Sequence, residues 1–106
     1  MLCRDLERAN EARDEIGGPS NSNIDAYKVD LSSLASVRRC AKEIIETEDK
    51  IDILINNAGI MNCPKMKTVD GFEMQFGTNH LGHFLLTELL LPAIKRSAEK
   101  GDFKPR

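Results

Sequence analysis

The spacing of apolar residues changes period along the chain and marks out alternating strands and helices. Met1-Leu2-Cys3 reads as the last residues of a strand. Asp5 then caps a helix whose inner stripe is Leu6, Ala9, Ala12 or Arg13, and Ile16, at the three-and-four spacing of one helical face. Gly17-Gly18-Pro19 ends it, a glycine for the left-handed terminus and a proline that cannot continue, and Ser20 to Asn23 is turn chemistry. Ile24 to Val29 alternates with polar residues, as an edge or half-exposed strand does. Ser32 or Ser33 opens a second helix with Leu34, Val37, Ala41, Ile44 and Ile45 inside and Arg38, Lys42, Glu46 and Glu48 in water. Ile51 to Ile55 is nearly continuously apolar, the pattern of a strand covered on both faces. After a loop from Ile60 to Val69, Asp70 and Glu73 have capping-box spacing at the start of a long helix through Phe72, Phe76, Leu81, Phe84, Leu85 and Leu89. Pro92 is a kink point, and Lys100 to Arg106, with no periodicity, is expected to fray.

Strands alternating with helices imply a parallel α/β sheet. The 106 residues suit one small domain, and no repeat or linker divides them. A net charge of -2 gives no electrostatic case for nucleic acid or an anionic membrane. Cys3, Cys40 and Cys63 are odd in number and widely spaced, which suits reduced thiols better than disulfides or a zinc site. No apolar run approaches the roughly 18 residues of a membrane span.

Two stretches carry chemistry. Ile51-Asp52-Ile53-Leu54-Ile55 leads into Asn56-Asn57-Ala58-Gly59, a strand end without projecting side chains, over which a nucleotide sugar can lie close to the backbone. Some twenty residues later comes Thr78-Asn79-His80-Leu81-Gly82-His83-Phe84, a helix with a polar residue on an otherwise apolar face. His80 and His83 have the spacing of a metal pair, but zinc needs further ligands and the cysteines offer no clustered spacing, so packing or polar contacts near a bound cofactor are expected instead.

Together, in this order and spacing, these residues resemble the middle of a short-chain dehydrogenase/reductase. Met61-Asn62-Cys63-Pro64 and Thr68-Val69-Asp70-Gly71-Phe72-Glu73 place the resemblance in the retinol dehydrogenase-like branch. The implied fold is an incomplete Rossmann-type doubly wound parallel sheet in three α/β/α layers. Residues 1–106 would run from the end of strand 2 through the long helix after strand 4. The resemblance implies that Asn57, Ala58 and Gly59 face the cofactor. It implies that Asp30 accepts a hydrogen bond from the adenine amino group while Leu31 borders the ring. The alternative for Asp30-Leu31 is a plain helix-capping segment. Asn79 is implied to be catalytic, marking a local widening of the helix where its main-chain carbonyl holds a water in a proton relay. At Arg4, an arginine can pair with the 2′-phosphate of NADP where a carboxylate would select NAD, so NADP is the expected cofactor; a surface arginine without a role is the alternative.

The same resemblance defines what these residues lack. No Gly-x-x-x-Gly-x-Gly phosphate loop occurs, and the single tyrosine, Tyr27, is followed at once by Lys28 rather than by a lysine four positions on. The chain is therefore expected to be a fragment, inactive alone, of an enzyme that moves hydride between NADP and an alcohol or carbonyl, a retinoid or lipid-like aldehyde among the candidates. The alternative is a non-catalytic truncated protein that docks on a full-length relative, with the long helix as a dimerisation surface. Relatives are commonly held at the endoplasmic reticulum, whereas these residues read as soluble. Without lateral partners for Ile51 to Ile55, the isolated chain is expected to be molten, aggregating or rearranged.

Overall fold

The stub at Met1 to Cys3 becomes a strand because the chain returns beside it. In the computed structural model, which describes residues 1–17, 23–99 and 104–106, β1 (Leu2–Cys3) pairs in parallel with β2 (Tyr27–Lys28), Leu2 opposite Tyr27 and Cys3 opposite Lys28. Tyr27 N donates to Met1 O and Val29 N to Cys3 O, each at 2.8 Å. The strand expected from Ile24 to Val29 is thus two residues long. Between the strands runs α1 (Leu6–Gly17), capped by Asp5, whose Oδ1 accepts from Glu7 N at 3.0 Å and Arg8 N at 3.4 Å. Only Ala9 of its expected stripe is buried, and Ile16 is 69% exposed. A two-residue ribbon offers α1 little sheet to cover. The expected stop at Gly18-Pro19 and the turn at Ser20 to Ser22 lie outside the described residues.

Ser33, extended at φ -133°, caps α2 (Leu34–Thr47) by accepting from Ser36 N. Asp70 adds a second acceptor from a distant loop, its Oδ2 taking Leu34 N at 2.8 Å. This corrects the capping-box reading. Glu73 alone caps the later helix, accepting from Gln75 N at 2.9 Å and Phe76 N at 2.7 Å, while Asp70 serves α2. Those two backbone donors hold the Glu73 carboxyl below the usual range.

The long helix is three pieces: α3 (Met74–Phe76), a π-helix over Gly77–Gly82, and α4 (His83–Glu99), with Pro92 inside the last. Its buried face is Leu86, Leu90, Ala93 and Ser97. The expected Phe76 and Phe84 are instead 52% and 59% exposed. The wider π-turns rotate every later residue relative to Met74–Phe76, so a stripe counted across them at constant period lands on the wrong face. Leu86 and Leu90 join Val29, Leu31, Val37, Cys40, Ala41 and Ile44 in one core between α2 and α4. Ile45, one residue past Ile44 and so about 100° around α2, is 40% exposed rather than buried. Burial pushes the Cys40 thiol up to about 11, an inert core sulfur.

The largest departure is at Ile51 to Ile55, which is extended but forms no strand. Ile53 is 54% and Ile55 77% exposed, where a strand covered on both faces was expected. Its backbone contacts are few. Ile51 N donates to Ala93 O at 3.2 Å, Leu54 N to Arg106 O at 2.8 Å, and Arg106 N to Asp52 O at 3.0 Å. Arg106 therefore pairs with this segment instead of fraying; Lys100 to Phe103 lie outside the described residues.

Ser97, 1% exposed, donates its hydroxyl to Asp52 Oδ1, and Lys50 Nζ is 3.3 Å from the same oxygen. The serine bond first, and the Lys50 charge with it, hold the Asp52 carboxyl below the usual range against a smaller opposing effect of burial. A lowered folded value means that this stabilisation is complete above the ordinary carboxylate pKa and is lost as pH falls through the folded value. Ser97→Ala is expected to move the Asp52 midpoint up toward that of a free carboxylate, read by carboxyl-carbon NMR titration. An unmoved midpoint would give the effect to Lys50.

Candidate functional site

A cleft of about 820 Å³ opens between the β1–β2 ribbon and the extended segment from Ile51 to Ile60. Arg4, Asp30, Leu31, Asn57, Ala58 and Gly59 all line it. Arg4 is exposed just after β1. Asp30 follows β2, and its Oδ1 accepts from Ser32 N at 2.9 Å and Ser32 Oγ at 2.6 Å. Its backbone N–H donates to Ser36 Oγ at 3.0 Å, so the Asp30-Leu31 turn is braced by the start of α2. The turn lines the cleft, but it is not the helix cap of the alternative reading, since Ser33 and Asp70 take the first amides of α2. Leu31 is buried at 9% and belongs to the core.

Asn79 lies within the π-helix, where the widening was expected. Its side chain reaches the chain just past Gly59, accepting from Ile60 N at 2.9 Å and donating to Ile60 O at 2.8 Å. A Cβ built on Gly59 would sit 3.4 Å from Asn79 Oδ1. Four residues later His83 meets the other side of the same turn, with Nε2 2.6 Å from Ala58 O and Nδ1 3.1 Å from Asn56 Oδ1. Asn56 Nδ2 donates to Thr87 Oγ1 at 3.0 Å, and that hydroxyl donates to His83 O at 2.8 Å.

Two glycines bring the π-helix this close. A Cβ on Gly82 would fall 2.5 Å from Leu31 O, and one on Gly77 would fall 2.5 Å from Thr68 Cγ2. Because the Gly82 neighbour is backbone, it cannot swing aside. Gly82→Ala is expected to cost about 3 kcal/mol, the upper end for overpacking, because the clash is with fixed backbone. Gly71 stands at φ +88° with open space around it, so Gly71→Ala should cost only about 1–2 kcal/mol of backbone strain. Urea unfolding of the two variants in the protein expressed from its native transcript compares them. Equal costs would show that the helix can back away from Leu31.

Sequence reasoning missed Thr87 and the paired glycines, and it singled out His83 without its partners. The pattern Gly77-Thr78-Asn79-His80-Leu81-Gly82 was visible, but its meaning depends on Thr68 and Leu31 lying against it. Tyr27 was set aside as a catalytic acid, and its hydroxyl bonds Thr47 at 2.9 Å and Glu48 at 3.0 Å, tying β2 to the end of α2. Among the described residues no group of His, Cys, Asp and Glu could hold a metal, and no helix is long and apolar enough to cross a membrane.

A two-stranded parallel ribbon, a braced turn after β2 and a π-widened helix against an Asn-Ala-Gly turn belong to a nucleotide-binding α/β fold. Residues 1–102 match the short chain dehydrogenase family, and the chain belongs to it. It is 56% identical over 99 residues to retinol dehydrogenase 13 of Homo sapiens and 54% identical over 98 residues to retinol dehydrogenase 14 of the same species. These alignments cover 92% of this chain but 30% and 29% of those proteins, so the chain spans about a third of the curated relatives it matches. The Pseudomonas aeruginosa RhlG/NADP active-site complex is 31% identical with a TM-score of 0.72, covering 91% of this chain and 38% of that one. NADPH-bound carbonyl reductase from chicken fatty liver is 27% identical with a TM-score of 0.71, covering 94% and 41%. The chain is thus a retinol dehydrogenase-like member with an incomplete α/β fold of Rossmann type.

Proposed function

We propose that these residues form the cofactor-facing edge of an oxidoreductase that moves hydride between NADP and an alcohol or carbonyl. One observation carries the reading. Arg4, Asp30, Leu31, Asn57, Ala58 and Gly59, drawn from three separate segments, meet at one cleft, and Asn79 locks the residue after Gly59. The residues present suit the two nucleoside ends of a dinucleotide. Asp30 offers a carboxylate for the adenine amino group and Leu31 an apolar border, while the small Ala58 and Gly59 leave room for a sugar. No phosphate loop for the pyrophosphate occurs in the sequence.

The nicotinamide, when bound, supplies or accepts the hydride. Arg4 pairs with the 2′-phosphate and so favours NADP over NAD. With its side chain committed to Ile60, Asn79 contributes through its main-chain carbonyl, orienting a water that passes a proton toward the reacting oxygen. A retinoid or similar lipid-like aldehyde or alcohol is the substrate class that the 56% and 54% identical relatives support through their names.

A second reading has its own observation. Phe76, His80 and Phe84 line up on the exposed side of the helix, with ring centroids 5.2 and 6.3 Å apart. Such an aromatic stripe suits docking on a second chain, whether in a dimer or as a non-catalytic protein bound to a relative. Sequencing the native transcript through both ends of this reading frame separates the two. A glycine-rich loop upstream and a tyrosine with lysine four places on downstream are expected from the enzyme reading. Stop codons at both ends would leave only the docking one.

A further inference from the structure

We propose that His83 is a positioning residue that straps down the Asn57-Ala58-Gly59 turn at Ala58, as Asn79 holds it at Ile60. The two side chains stand four residues apart, at the end of the π-helix and the first turn of α4. Asn79 holds Ile60 by both its backbone N–H and its carbonyl, at 2.9 and 2.8 Å. His83 holds Ala58 by its carbonyl at 2.6 Å. Gly59, which has the freest backbone of the run, is thus pinned between two fixed neighbours, both anchored to the same helix.

The chemistry of the strap is set by its acceptor. A carbonyl oxygen has only lone pairs to offer, so His83 Nε2 carries the hydrogen. The contact at Nδ1 is adaptable. Asn56 Oδ1 meets it at 3.1 Å, which suits an N–H at Nδ1; a lone pair there requires the amide to turn its –NH2 to the ring, and the single Thr87 hydrogen then moves from His83 O to Asn56 Oδ1. The hold on Ala58 therefore survives either charge state of the ring, and Asn56 and Thr87 keep the ring aimed.

What the strap accomplishes rests on the cofactor reading above: a turn fixed before the dinucleotide arrives loses less freedom on binding. His83 then acts on affinity for the cofactor and leaves the hydride step alone. The hydrogen bond itself stands independently of that reading.

The test uses the protein expressed from its native transcript, as wild type, His83→Ala and His83→Gln. Nitrogen-detected NMR of labelled histidine is expected to show hydrogen on His83 Nε2 at neutral pH. Amide exchange of Ile60, whose N–H is held by Asn79 Oδ1, is expected to quicken roughly fivefold to tenfold in His83→Ala, the usual worth of one hydrogen bond. His83→Gln, whose amide N–H can still donate, should recover much of that loss. KM for NADPH should rise by a similar factor in His83→Ala, with kcat changed by less than about threefold. An Nε2 without hydrogen, or unchanged exchange in both variants, overturns the strap. If His83→Ala does not fold, the wild-type Nε2 signal and His83→Gln decide the matter. If exchange responds as expected but wild type binds no NADPH, the cofactor reading fails and the strap stands.

Discussion

Purified as the 106-residue chain alone, the protein is expected to unfold without a cooperative transition and to bind a hydrophobic dye before heating. Among the described residues the only regular strands are two residues long. Beside them, Ile53 and Ile55 stand 54% and 77% exposed along a segment whose backbone, from Ile55 to Asn57, makes no hydrogen bond to any described residue. Water satisfies those amides, so the loss is apolar burial: an isoleucine brought fully inside is worth about 1.5–3 kcal/mol, against a total stability of only about 5–15 kcal/mol. The radius of gyration, 14.9 Å, is also larger than the roughly 13 Å of a compact domain of 100 residues. Scanning calorimetry checks this. A sharp transition near the ~0.7 kcal/mol per residue typical of globular domains would contradict it and show that the α2–α4 core suffices.

Replacing Asn79 is expected to have the largest effect on turnover. Asn79→Ala removes both bonds to Ile60, each worth about 1 kcal/mol, and frees the π-helix from the turn it holds. The substitution keeps the main-chain carbonyl but loses what positions it, and a misplacement of about 1 Å can cost about 100-fold, so kcat with NADPH in the native protein should fall by about that factor. Asn79→Asp keeps an acceptor for Ile60 N but sets a carboxylate against Ile60 O, and should be nearly as slow. Steady-state kinetics, with circular dichroism to confirm folding, reads both. A loss under about threefold in Asn79→Ala would show that the side-chain bonds to Ile60 do not position the main-chain carbonyl for turnover.

The parts of this fold legible in the sequence were the local ones. Asp5 and Ser33 cap their helices because capping needs only a short side chain and the next three amides. The π-widening lay where the family resemblance put it. What failed depended on distant partners. Asp70 caps α2 from 36 residues away, which no local motif reports. The buried face of α4 shifted because helical period was assumed constant through the π-turn. Ile51 to Ile55 read as a covered strand from composition, yet a strand is made by its neighbours. In the site, Asn57, Ala58, Gly59 and Asn79 were legible as a motif in order and spacing. His83 was read, with His80, as a packing or polar residue near the cofactor rather than half of a metal pair, but its partner Ala58 became visible only once the turn and helix were seen in contact.

The most direct test is an equilibrium titration of the protein expressed from its native transcript with NADPH and with NADH. An arginine–phosphate contact is a charge-assisted bond worth about 1.5–3 kcal/mol. With Arg4 among the residues lining the cleft, NADPH is expected to bind at least about tenfold more tightly than NADH, and Arg4→Ala to erase the difference. Equal affinities, a preference for NADH, or no binding of either would contradict the reading of this cleft as an NADP site.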